Sequence, residues 1–308
     1  MISFINKKLN SIISYLSRES QHTIYLSIFR VYLALHLIQK IIFLYPNNDI
    51  LFSQGILNLN AGYGTSIIFQ LINHNISLLF TVIILISLLV LFGIGRNISM
   101  ILFYISIEIL QHGNGYLLNG GDNLLKFLAL YMCLTDSYRH LCINKRKSKA
   151  STYENILTNI GVLYIICHLC LIYVVSGLFK ANAKVWFSGV STYYILLLDR
   201  FKGTRFNETL ALNGWLVTTI TYFVMLWEIY FPFLVYIKKT RYFALISGVL
   251  IHLGIFIFMM LYDFELLFIA CYGFFFKNVA FQNLKSKIFS IKVYTKSKVS
   301  RLIKVQPK

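Results

Sequence analysis

Between Ile76 and Gly95 the chain runs for 20 residues without one Asp, Glu, Lys or Arg. At 1.5 Å per residue a helix of that length crosses about 30 Å, the thickness of a bilayer's hydrocarbon core. The segment reads as a membrane span, and the rest of the 308 residues agree with it. Of the chain, 57% is hydrophobic and 13% charged, about half the ~25% charge of soluble proteins. A water-soluble globule is thereby excluded. With 16% aromatics and only 3 prolines, a disordered or collagen-like chain is excluded too, because too much apolar surface would stay wet.

Seven further apolar stretches accompany this one, at about 24–45, 98–111, 118–134, 156–179, 213–237, 243–261 and 266–276, of which the second, third and last are short. The expected fold is an all-α, polytopic membrane helical bundle of about eight spans with both termini cytoplasmic. Under that alternation 21 of the 29 Lys and Arg fall on the cytoplasmic side and five on the external side, as the positive-inside rule requires. The net charge of +18 is therefore mostly a topology signal. The expected partner is the lipid bilayer, with anionic lipid under the basic tail, and not nucleic acid, for which no groove-reading motif is present.

Residues 1–21, where Phe4, Ile5, Leu9, Ile12, Ile13 and Leu16 stand against Lys7, Lys8 and Arg18, read as an interfacial amphipathic helix rather than a cleaved signal peptide. Residues 22–276 form one membrane domain and 277–308 a basic cytoplasmic tail. Two external segments, 46–75 and 180–212, are long enough for re-entrant or interfacial helices. The five cysteines are odd in number and lie mostly within apolar runs, which argues against a disulfide framework. Cys167-His168-Leu169-Cys170 looks like half a metal site, but no second pair follows and no metal is expected.

Ionisable groups within spans are costly, so each needs a partner or a purpose. Here they cluster. Glu108, Gln111 and His112 share one helix face, as do Asn119, Asp122, Asn123 and Lys126, while His36, Gln39 and Lys40 share an arc of roughly 100°. All three sets fall in the external half of the membrane, Lys180 closes the fifth span, and His252 lies within the seventh. A polar chamber open to the outside is the economical expectation. A structural account of the same residues pairs Asp122 with Lys126 within one helix, and Arg30 with Glu228 across the cytoplasmic half of the bundle.

Phe29-Arg30, Asn119-Gly120-Gly121-Asp122, Ser176-Gly177-Leu178-Phe179-Lys180 with Trp186 and Gly189, and His252 together resemble the HTTM family, the horizontally transferred transmembrane domain shared with vitamin K-dependent gamma-carboxylases. The resemblance covers about residues 22–276. It implies that Lys180 is the base that deprotonates a membrane quinol such as vitamin K hydroquinone and that His252 lies in the same site; the clustered polar faces add Asp122 to that catalytic site and Glu108, His112, Asn119, Asn123 and Lys126 to the cofactor chamber. Burial would have to bring the lysine down from its usual ~10.4 for this to work. Where the animal enzymes carry a further histidine, this chain has Asp122 and Asn123. The 32 residues after Phe276 are also too few for the carboxylases' external β-rich domain. Three readings follow. One is quinol-dependent base chemistry on a peptide. The second is an accessory role, with a companion protein, in maturing a secreted antimicrobial peptide precursor, as in the sporulation-delaying protein B type of the family. The third is a transporter, against which the lack of an inverted repeat speaks. The expected location is a bacterial cytoplasmic membrane with the active face external.

Overall fold

The computed structural model describes residues 2–47, 51, 75–113, 118–143, 148–287 and 290. Among these residues the regular structure is helical, with no strand. The helices are α1 (Ile2–Leu16), α2 (Thr23–Leu44), α3 (Ile76–Phe92), α4 (Arg96–Gly113), α5 (Gly120–Cys133), α6 (Thr152–Asn182), α7 (Lys184–Phe187), α8 (Ser191–Leu197), α9 (Phe206–Ala211), α10 (Gly214–Tyr236), α11 (Arg241–Met259), α12 (Tyr262–Cys271) and α13 (Asn278–Lys287). Each of the eight apolar stretches read from the sequence is a helix. Four, α2, α6, α10 and α11, are long and apolar enough to cross a membrane, and a fifth crossing results if the bent pair α12–α13 counts as one. Only 28% of the most apolar window of α6 is buried in protein, so most of that face must meet another apolar medium.

Local chemistry sets the helix ends. The charge-free run ends as helix at Phe92, short of Gly95, because Gly93 takes φ +71 and returns its N–H to the carbonyls of Leu89 and Val90. A Cβ at Gly93 would also collide with the Arg30 guanidinium and Cys142. At the start of α5, Asn119 Oδ1 accepts from Gly121 N at 2.7 Å and Asp122 N at 3.2 Å, while Asp122 Oδ2 accepts from Asn119 N at 2.9 Å. Ser151 and Glu154 build the same reciprocal cap on α6. Helix α6 then runs for 31 residues, about 46 Å, and its N-terminal end reaches α1, where Asn159 Nδ2 donates to the carbonyls of Leu16 and Arg18.

Helices α2 to α5 pack in sequence, α6 packs on α10, α10 on α11 and α11 on α12. The ten-residue α12 joins the two groups, since it also touches α2, α5 and α6. The chain enters it by a sharp reversal through Met260, at φ +54. The segment 180–212 contains the short helices α7, α8 and α9 and docks on the N-terminal half of α10, through Thr221 and Tyr222. Buried Asn207 fastens it, donating to Leu196 O at 3.2 Å and to Phe258 O at 2.7 Å. The segment 46–75 lies almost wholly outside the described residues.

Candidate functional site

The ionisable side chains within the bundle sort into three groups, and α12 lies between two of them. The first joins α2, α4 and α5. Lys40 Nζ donates to Asp122 Oδ1, and Gln111 Nε2 donates to Asp122 O at 2.7 Å. Asp122 is 3% exposed, and its second oxygen is held by the α5 cap. Gly120 and Gly121 let α12 close on this corner: a Cβ on Gly121 would stand 3.0 Å from the Phe264 Cα. The pairing of Asp122 with Lys126 inferred from their spacing is therefore not the one formed. Lys40, from another helix, reaches the carboxylate instead.

The second group lies between α4 and α5. Glu108 accepts from Tyr104 OH at 2.8 Å, has Lys126 Nζ at 3.8 Å, and its backbone carbonyl lies 2.8 Å from His112 Nδ1. This group is peripheral, since the His112 side chain is 59% exposed and Asn123 is exposed. Asn119, also largely exposed, serves the α5 cap of the first group.

The third group is built on α6, α10, α11 and α12. Gly177 allows α6 and α10 to approach, because a Cβ there would stand 2.7 Å from Ile229 Cγ1. That approach carries Lys180 onto Glu228: Nζ donates to Glu228 Oε1 and, at 3.1 Å, to Ser176 Oγ. It also lies 5.0 Å from the centre of the Trp186 ring. Gly189, at φ +77, lies so close to Tyr222 that a Cβ would be 3.0 Å from its ring, which seats the α7 turn carrying Trp186. The Ser-Gly-x-x-Lys and Trp-x-x-Gly patterns thus each have a packing reason and together surround one amine. The pairing of Glu228 with Arg30 does not occur. Arg30 lies fully buried in the N-terminal part of α2, where it donates to Leu141 O and stands over the Tyr138 ring at 4.7 Å.

Deeper in the same group, Glu265 Oε2 accepts from His252 Nδ1. His252 Nε2 lies 2.6 Å from Tyr173 OH, which lies 2.7 Å from Tyr272 OH. Phe268 stacks on the His252 ring, and Trp227 and Phe231 pack against Tyr173. Glu265 is 0% exposed, and its Oε1 has no hydrogen-bond partner, as is true of the buried Oε2 of Glu228. The position of Glu265 in the first turn of α12 places its carboxylate at the positive end of the helix dipole.

Of the residues expected to share a chamber, Lys180 and His252 belong to this third group, Asp122 and Asn119 to the first, and Glu108, His112 and Lys126 to the second. His168 does not gather ligands with its neighbouring cysteines: its Nδ1 lies 2.8 Å from Tyr131 OH, while Cys167 is exposed and Cys170 buried. Glu265, Tyr173 and Tyr272 escaped sequence reasoning. Tyr173 carried a signal, since it stands seven residues before Lys180 on one face of α6. Glu265 did as well, as an acid at the mouth of an apolar run.

Comparison with protein-family models, with curated proteins and with solved structures gives no match to this chain.

Proposed function

We propose that the chain is an integral membrane protein of the HTTM type, spanning a bacterial cytoplasmic membrane eight times with both termini inside, and that Lys180 and Glu228 form an outward-facing proton-transfer site for a lipid-soluble hydroquinone. The observation that carries this reading is the amine–carboxylate pair roofed by an indole. Lys180 donates to Glu228, whose second oxygen is buried without a partner, and Trp186 lies over the amine. The residues suit such a ligand: Trp186 is a stacking surface for an aromatic ring, and Ser176 and Glu228 are hydrogen-bonding groups for a phenolic hydroxyl. A bound hydroquinone would supply an acidic proton and two electrons.

In this account Glu228 first holds the Lys180 proton, leaving a neutral amine beside a neutral carboxyl group. The amine then accepts a proton at Nζ and the pair carries one proton more than before. The apolar walls of α6 and α10 keep water from levelling the exchange. The test is binding of a hydroquinone by purified protein in nanodiscs and its two-electron oxidation to the quinone with dissolved dioxygen as the electron acceptor. Lys180→Ala and Glu228→Gln are each expected to lower turnover by about 10²-fold or more. Turnover unchanged in Lys180→Ala would remove the proposed role.

A further inference from the structure

Tyr173 and Lys180 are seven residues apart on one face of α6, two turns or about 10.5 Å along the axis. The Lys180–Glu228 pair therefore sits directly above the Tyr173–His252–Glu265 cluster, and the charges of both Lys180 and Glu228 act on Glu265. Four groups from four segments, Glu265 of α12, His252 of α11, Tyr173 of α6 and Tyr272 of the turn after α12, stand in one unbranched line of hydrogen bonds. Such a line is difficult to explain as scaffolding. An apolar filling would pack the same helices without burying a carboxylate that keeps one oxygen unpaired. Ionisable chains of this kind within membrane helices serve proton relays.

We infer that Glu265, His252, Tyr173 and Tyr272 form the proton reservoir of the Lys180–Glu228 site. The inference rests on the reading of that pair as a proton-transfer site. With Glu265 as carboxylate and His252 neutral, Nδ1–H points to Glu265 and Nε2 accepts from Tyr173. A proton delivered to the unpaired Oε1 of Glu265 makes a carboxylic acid. That acid keeps Oε2 as the acceptor of His252 Nδ1–H, so the added proton stays on Oε1 and the imidazole stays neutral. Passing the Nδ1 proton to Oε2 of the carboxylate, the Tyr173 proton to Nε2 and the Tyr272 proton to the Tyr173 oxygen moves the one negative charge from Glu265 to Tyr272 without net gain or loss, so the line can take up a proton at either end. Besides the four members, the ionisable groups that face the line are Lys180 from α6 and Glu228 from α10, toward Glu265, and Cys271 from α12, toward Tyr173. Tyr173 and Glu265 are positioning residues in this scheme, acting on substrate only through Lys180 and Glu228.

The test is Tyr173→Phe, which removes one oxygen and keeps the ring packed on Trp227 and Phe231, with Tyr272→Phe as a second variant should the first fail to fold. Two readouts are taken on each. In hydroquinone oxidation a shifted pH–rate profile and a loss of about tenfold or more are expected. In ¹⁵N-histidine NMR, the ring nitrogens of His252 are expected to move in Tyr173→Phe and again in Glu265→Gln. Lys180-dependent turnover whose rate and pH profile are untouched by Tyr173→Phe overturns the reservoir and leaves the site reading standing. His252 signals that respond to both variants, without any Lys180-dependent turnover, support the shared-proton line and overturn the site reading. Signals that move in neither variant overturn the line itself.

Discussion

Asp122 is held from two sides, with one oxygen closing the N-terminus of α5 and the other taking Lys40. Removing one member of a buried ion pair strands the other, so Asp122→Ala is expected to destabilise the protein by about 3–5 kcal/mol in detergent unfolding. The double variant Lys40→Met/Asp122→Leu should recover much of that loss, and a double variant no better than the single would contradict the pairing. Spacing along one helix made Lys126 the natural partner, because i, i+4 proximity is visible in a sequence while contact between helices is not. His22, just before α2, offers a second check. Burial, with Lys277 close by, pulls it down to about 4, whereas an unfolded histidine titrates near 6.5. Below pH 6.5 the unfolded chain binds a proton that the folded chain refuses. Stability from this residue is thus complete above about pH 6.5 and declines by on the order of 3 kcal/mol as pH falls to about 4. Melting curves of His22→Gln over this range should lack that decline, and an equal slope in both proteins would contradict it.

Among the elements, close approach decides where the chemistry falls. Gly177 admits Ile229 and thereby brings Lys180 to Glu228, and Gly121 admits the backbone of α12 at Phe264. Gly177→Val should cost about 1–3 kcal/mol by overpacking and should also slow hydroquinone oxidation, because the amine would lose its carboxylate. Full activity in a destabilised Gly177→Val protein would show that the α6–α10 approach does not set the site. The eight apolar helices were legible because an apolar run of helical length is visible in the sequence itself, four or five of them being long enough to cross a membrane. Their ends were less so: the run 76–95 stops as helix at Phe92 on the conformation of Gly93, a backbone fact. The segment 180–212 was read as holding a re-entrant or interfacial helix, but its fastening through Asn207 depends on carbonyls from two distant elements.

For the whole molecule, the sequence revealed that ionisable groups gather in the bundle but not how they divide. Helical spacing grouped Glu108 with His112 and Asp122 with Asn119, and those neighbours remain neighbours. It assigned all of them to one chamber, whereas α12, with Asp263 and Glu265 at its start, stands between the Asp122 group and the Lys180 group. Hydropathy marks the apolar run of this ten-residue helix but not that it touches both halves of the bundle. In the proposed topology, which gathers the basic loops on the cytoplasmic side, the face carrying Lys180 is the external one. The most direct measurement is labelling of Lys180 in sealed cells with a membrane-impermeant amine reagent, read by mass spectrometry with and without hydroquinone. The account predicts labelling from the outside, slower than at the exposed Lys184, and protection of Lys180 alone when hydroquinone is bound. Labelling only after the cells are opened, or labelling that hydroquinone does not change, would contradict it.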